Sequence, residues 1–178
     1  MMPHLRVLIA LEEEISEAVA GFQIRGKPVR SRHRRHRDSK LGERPIVAVA
    51  FMSADIASGT GRTQTDEGDP ELMMELQVNL VIDVNLAPEG DKPRDRQLDV
   101  TGLGDHAAIL ERVLDHLIPD PTVAPFQPNN LRGTAWGVRY DGTAPEEGDA
   151  TPDEARMEER LTIFYRVRAD HPTTLLES

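Results

Sequence analysis

Between Glu71 and Ala87 every even-numbered residue is apolar: Leu72, Met74, Leu76, Val78, Leu80, Ile82, Val84 and Leu86. The odd positions between them include Glu71, Glu75, Gln77, Asn79, Asp83 and Asn85. Strict alternation of this kind predicts a β-strand with one buried and one wet face. At full extension it would run roughly 50 Å, more than most domains can cover, so it is expected to bend or to reach beyond the body of the fold. A second alternating run, 157–169, places Leu161, Ile163, Tyr165 and Val167 on one face and predicts a strand near the C-terminus. IVAVAFM, residues 46–52, is apolar on both faces and follows Pro45, which predicts a buried strand. TAWGVRYD, residues 134–141, reads as a short strand.

Two stretches carry helical spacing instead. In residues 4–20, Leu5, Leu8, Ile15 and Val19 share a face, and Gly21 is the expected stop. Leu103, Ala107, Leu110, Val113, Leu114 and Leu117 form the second set, with Thr101 or Asp105 as N-cap and Pro119 and Pro121 beyond its end. Residues 22–30 suggest a short extended segment turning at Gly26. The order is helix, strand, strand, helix, strand, strand. It predicts an α+β fold, a largely antiparallel mixed sheet packed against two helices, with long polar loops. One domain is expected over 1–178. It carries a basic loop at 25–44, acidic loops at 53–70 and 142–156, and a loose tail at 170–178.

Composition narrows this picture. The chain has 178 residues, 38% hydrophobic, with 13 Gly and 13 Pro, which fits one core carrying several polar loops. It has no Cys, so disulfides and thiolate metal sites are excluded. The apolar run near the N-terminus is too short for a signal peptide, and no run approaches the ~20 residues of a membrane helix. The formal net charge of −10 is unevenly spread. From Arg25 to Lys40, eight Lys and Arg side chains face Asp38 alone, a local +7 that leaves −17 for the remainder. Such asymmetry concerns partners and solubility.

A search for chemistry finds little. The acidic neighbours Glu12-Glu13-Glu14, Asp66-Glu67, Glu146-Glu147 and Glu158-Glu159 point in different directions on any regular element and read as solvated faces. His33 and His36 sit among arginines that repel a metal ion. His4, His106, His116 and His171 lack partners at metal spacing and read as structural. Ser58-Gly59-Thr60-Gly61 lacks the full phosphate-loop pattern, and Gly102-Leu103-Gly104 breaks the dinucleotide pattern at Ala107. Trp136 and Tyr140 read as core or interface residues. No catalytic, cofactor or metal site is expected. The basic block has no aromatic residues for stacking single strands. It remains a solvated loop, a docking surface for an acidic partner, or a sequence-independent contact with duplex phosphates.

The arrangement resembles the tail terminator (tail completion) proteins of long-tailed bacteriophages of the phage lambda type. The resemblance rests on HLRVLIALEEEISEAV, RPIVAVAFM, MELQVNLVIDVNLAPEGD, HAAILERVLDHLI, GTAWGVRYDG and MEERLTIFYRVR, in that order and spacing. The basic block and the 53–70 loop are longer than in compact members of the family. The resemblance implies a structural virion protein without enzymatic activity, a homohexameric ring that caps the tail tube, ends its polymerisation and offers the head-joining surface. Implied partners are other copies of the chain, the tail tube protein, a head-closure or neck protein and genomic DNA in the lumen, with no membrane. The chain would be made in the host bacterial cytoplasm and end at the tail-neck junction of the virion. Arg30, Arg32, Arg34, Arg35 and Arg37 are the expected interaction residues, toward a neighbouring subunit, a neighbouring ring or the lumen. The alternatives are a head-closure, neck or tail-tube protein, or a DNA-binding module using the basic loop.

Overall fold

Pro3 opens the first helix at a position where its missing N–H has no partner to lose. Helix α1 (Pro3–Ala18) buries Val7, Ala10, Leu11, Ile15 and Ala18 along one stripe. The chain leaves it through Gly21, in the left-handed region at φ +71°. These observations come from a computed structural model that describes residues 1–33, 45–57, 63–64, 70–84, 100–120, 122, 129–145 and 156–177.

The expected turn at Gly26 is a tight hairpin. Strands β1 (Gln23–Ile24) and β2 (Lys27–Pro28) pair antiparallel across Arg25 and Gly26. Both turn residues have positive φ, 50° and 77°, the geometry whose twist suits a two-residue hairpin loop. Val29 N–H donates to the Phe22 carbonyl at 2.9 Å and closes the loop.

The main sheet contains β3 (Arg30–His33), β4 (Ile46–Ile56), β5 (Thr63–Gln64), β6 (Pro70–Asp83), β7 (Gly137–Pro145), β8 (Arg156–Arg168) and β9 (Leu175–Leu176). Its order is β3-β4-β6-β8-β7, with β5 on β6 and β9 on β8. The β3–β4 pair is parallel; the other pairs are antiparallel. The second helix, α2 (Val100–Leu117), lies with α1 against one face. The core forms where Leu76, Val78, Leu80 and Ile82 of β6 and Leu161, Ile163, Tyr165 and Val167 of β8 meet the helical stripes Val7-Leu11-Ile15 and Ile109-Val113-Leu117. The α+β class is as the sequence predicts.

Several boundaries differ, for one reason: a long strand offers pairing to segments whose own composition reads as loop. Residues 53–56, expected to be loop, continue β4, because β6 supplies partners as far as Met74 opposite Ile56. A bulge between Phe51 and Ser53 absorbs the change of register. Residues 142–145 likewise continue β7, past an irregularity between Tyr140 and Gly142, where Gly142 has φ +102°. Part of the basic loop is strand, since Arg30–His33 align with Ile46–Val49. The expected loose tail contains β9, held by pairing of Leu175 and Leu176 with Val167 and Arg166. Thr101 and Asp105 are not caps but lie within α2. The face of β6 expected to be wet is only partly so, since Asn79, Val81 and Asp83 are buried.

Leu80 sits at the centre of this core with no exposed surface. Leu80→Ala is expected to lower unfolding free energy by about 2–5 kcal/mol. Urea denaturation followed by circular dichroism checks this.

Candidate interaction surface and buried polar clusters

Of the arginines expected to form the interaction surface, Arg30 and Arg32 are described, and both are exposed on edge strand β3. Arg34, Arg35 and Arg37 lie outside the described residues, as do His36 and Ser58–Gly61. Pairing with β4 fixes the backbone of Arg30 and Arg32, so both are carried on the sheet itself. Arg25, in the same basic stretch, is engaged within its own chain. Its Nε lies 2.9 Å from Asp105 Oδ2 and ties the hairpin to α2.

The described acids and histidines are less bland than their sequence neighbours suggest. Glu14 is buried on α1, toward α2 and the turn before β7, and is not on a solvated face. Its Oε1 accepts from Arg132 Nε at 3.0 Å, and its Oε2 accepts from Asn129 Nδ2 at 3.1 Å and meets His116 Nε2 at 2.8 Å. Burial pushes this carboxyl up, but the bonds from Arg132, His116 and Asn129 together outweigh it and hold it below its ordinary 4.5. Arg132 also pairs with Glu13 at 2.9 Å and with Glu17.

Ligand atoms of Glu14, Glu17 and His116 lie within 4.8 Å of one another, a grouping that could hold a metal ion. The Arg132 guanidinium already binds both carboxylates, which makes the arrangement an ion-pair network around a resident cation. Arg132 reaches it from a tight turn. Leu131, Arg132 and Gly133 are all left-handed, at φ 49°, 59° and 81°. Neighbouring side chains hold that backbone: Asn129 Oδ1 accepts from Leu131 N–H, Asn130 Oδ1 accepts from Gly133 N–H, and the Thr134 hydroxyl donates to the Leu131 carbonyl.

The second cluster lies under α2. Glu159 has no exposed surface. Tyr140 and Thr143 hydroxyls donate to its Oε2 at 2.7 and 2.9 Å. His106 Nε2 stands 3.3 Å from its Oε1, within ion-pair range but not aligned as a hydrogen bond, so those two atoms have no hydrogen-bond partner. Burial pushes the His106 imidazole below its ordinary 6.5, and the Glu159 charge offsets only part of this. Burial, helped by the bond to Glu159, raises the Tyr140 phenol. A carboxylate and imidazole this near could exchange a proton, yet both are sealed from solvent. Their placement brings α2 against β8 at this point.

The structure thus keeps His106 and His116 apart, as their spacing implies, and gives each a glutamate. Sequence reasoning missed both carboxylates, although a signal was present. Glu159 falls two residues before Leu161 in the buried row of β8, and His106 falls three before Ile109 in the buried stripe of α2.

Glu159→Ala would leave the buried hydroxyls of Tyr140 and Thr143 without their acceptor and is expected to cost about 1–3 kcal/mol of stability, read by urea denaturation near neutral pH. His106 also predicts a pH dependence. Above its ordinary 6.5 the ring is neutral in both states, and its contribution is complete. As pH falls through 6.5 the unfolded chain binds the proton first, and stability declines until the lower folded value is passed. Glu14 acts in a more acidic window, contributing above 4.5 and losing that contribution as pH falls through its depressed value. Urea midpoints measured at about pH 8, 6.5 and 5 are expected to fall toward acid in the parent and less steeply in His106→Asn.

A scan against protein-family models and a search of curated proteins each found no match to this chain.

Proposed function

We propose that this chain is a structural virion protein that forms a homohexameric ring on the end of a phage tail tube. The ring ends tube polymerisation and provides the surface that joins the DNA-filled head. The observation that carries this reading is the order and spacing of its elements, α1, β4, β6, α2, β7 and β8, which resembles the lambda-type tail terminators. The α+β class, with two helices on one face of a mixed sheet, supports it. Exposed Arg30 and Arg32 on an edge strand suit contact with an acidic subunit, ring or DNA lumen. The partners are further copies of the chain, the tube protein and a head-closure protein, at the tail-neck junction. No helix among the described residues is long and apolar enough to cross a membrane.

Deletion of the gene from its phage genome is expected to give overlong, headless tails in electron micrographs. Tails of normal length would remove this reading; finished but unjoined ones would favour a neck protein. Replacing Arg30, Arg32, Arg34, Arg35 and Arg37 together with Ser is expected to reduce the yield of joined particles, counted on the same grids. Normal infectious yield from that variant would assign the block to a solvated loop.

A further inference from the structure

Helix α2 is held to the rest of the fold unevenly. From Ile109 onward its buried stripe is apolar, with Ile109, Val113 and Leu117 in the core. Along the same stretch Arg112 Nε donates to the Ala18 carbonyl at 2.9 Å, and His116 meets Glu14. Before Ile109 the attachment changes character. Among the described side chains there, residues 104–108, His106 alone is buried. Gly104 and Ala107 are exposed, and Asp105 and Ala108 are half-buried. The contacts of this part are polar: Asp105 with Arg25 of the hairpin at 2.9 Å, and His106 with Glu159 of β8 at 3.3 Å.

Neither contact is strong. The Arg25 side chain is 45% exposed, so water and salt screen its pair with Asp105. His106 Nε2 and Glu159 Oε1 are both buried and meet without the alignment of a hydrogen bond. The imidazole has left water and gained little in return.

The helix is intrinsically weak at the same place. Gly102 and Gly104 both fall in its first two turns, where each glycine lowers helix formation about fivefold relative to alanine. Packing does not demand Gly104: a Cβ added there meets nothing within 4 Å, and its backbone is not left-handed. The first turn carries no acid to favour the helix dipole. A segment with so few apolar anchors is the kind that opens locally while the rest of a domain stays folded.

A proton distinguishes the closed from the open position. Among the described residues, the charged and titratable groups around His106 are Glu159 from β8 and Tyr140 from β7, which is bonded to Glu159. On its own helix stands Asp105, whose partner Arg25 comes from the hairpin. β6 contributes apolar Leu80, opposite Glu159. Glu159 draws a proton toward the ring, but burial outweighs it and holds the imidazole below its ordinary 6.5. Lifted into water, the ring returns to that ordinary value. Protons therefore bind the open form first. Below 6.5 each pH unit favours opening by up to about tenfold, until the lower closed-state value is passed.

We propose that residues 100–108 of α2 form an acid-released latch. With His106 neutral they close over the Glu159-Tyr140-Thr143 cluster; with His106 protonated they lift from β8 while the helix from Ile109 onward stays docked. The latch is a property of the single chain and does not depend on the ring reading.

Amide hydrogen exchange followed by NMR on the purified chain tests this, read as protection factors at about pH 8, 6.5 and 5. Amides of residues 104–108 are expected to be less protected than those of 110–117 at each pH, and to exchange with little dependence on low urea. Their protection is expected to fall about tenfold between the upper and lower pH. His106→Asn is expected to flatten that fall. Gly104→Ala, which places a methyl in open space, is expected to raise protection of the same amides about fivefold throughout. Equal protection of 104–108 and 110–117 would show that the helix opens only with the whole protein, and would overturn the inference. So would protection in 104–108 that is constant across this pH range, or that falls as steeply in His106→Asn. If His106→Asn does not fold, the parent profile and Gly104→Ala decide, since the latter keeps the titrating ring: unchanged protection of 104–108 in Gly104→Ala sinks the latch.

Discussion

The antiparallel ladder between β6 and β8 sets the terms for the rest of the molecule. It runs unbroken from Glu71 opposite Arg168 to Asp83 opposite Arg156. Because side chains alternate along a strand, a slip of one residue would turn the buried row of either strand to the other face. For β6 that would exchange Leu76, Val78, Leu80 and Ile82 for Gln77, Asn79, Val81 and Asp83. For β8 it would put Glu158, Arg160 and Arg166 against the helices in place of Leu161, Ile163 and Tyr165. The register is therefore fixed by the loss of most of the core in any alternative. β4 and β7 are then placed as the outer neighbours of this pair, and the two helices cover the face that the ladder makes apolar.

The same alternation introduces a buried charge. Continued toward the start of β8, the inward row reaches Glu159, opposite Leu80 on one side and Thr143 on the other. A lone carboxylate there would be costly, and hydroxyls of Tyr140 and Thr143 together with His106 surround it. Glu14 raises the same problem on α1, and Arg132, Asn129 and His116 answer it. Both clusters tie one helix to a distant part of the chain: α2 to β7 and β8, and α1 to α2 and the turn before β7. Apolar contact drives the layers together without specifying how they sit laterally. The bonds to Glu14, which need defined donor positions, supply that specification between α1, α2 and the turn before β7, while at Glu159 they fix β7 on β8 and His106 meets the carboxylate at ion-pair range.

How much of this was legible follows from range. Periodicity is a local property, so α1, α2, β6 and β8 could be read within a few residues of their ends. The ends of β4 and β7 could not, because Ala54–Ile56 and Thr143–Pro145 are strand only through partners far away in sequence. The parallel placement of β3 is likewise a property of the sheet. Glu14 and Glu159 each have a charged neighbour, and adjacency in sequence hid the fact that alternate residues face opposite ways. The parity of Leu161 and the spacing of Ile109 were enough to place Glu159 and His106 on facing surfaces. What no local pattern could supply was the arrival of Tyr140, Thr143 and Arg132 from other elements.

The basic stretch, read as one block, divides once it is placed. Arg25 is absorbed by Asp105 and stabilises the hairpin against α2, whereas Arg30 and Arg32 ride exposed on a paired strand. The local +7 thus overstates what is available to a partner, since part of it neutralises acids of its own chain. The same reasoning applies with opposite sign to the acids. Glu13, Glu14 and Glu17 converge on Arg132, while Asp55 and Glu75 stand opposite each other, and Glu75 acts on Arg139, whose own bond is to Asp141. Charge that the fold has already neutralised lowers the potential seen from outside, and charge that it has not sets where an oppositely charged surface gains most on docking. On that basis the placed charges, more than the total of −10, set the electrostatic character of each surface: Arg30 and Arg32 exposed on β3, and Asp55 opposite Glu75 on β4 and β6.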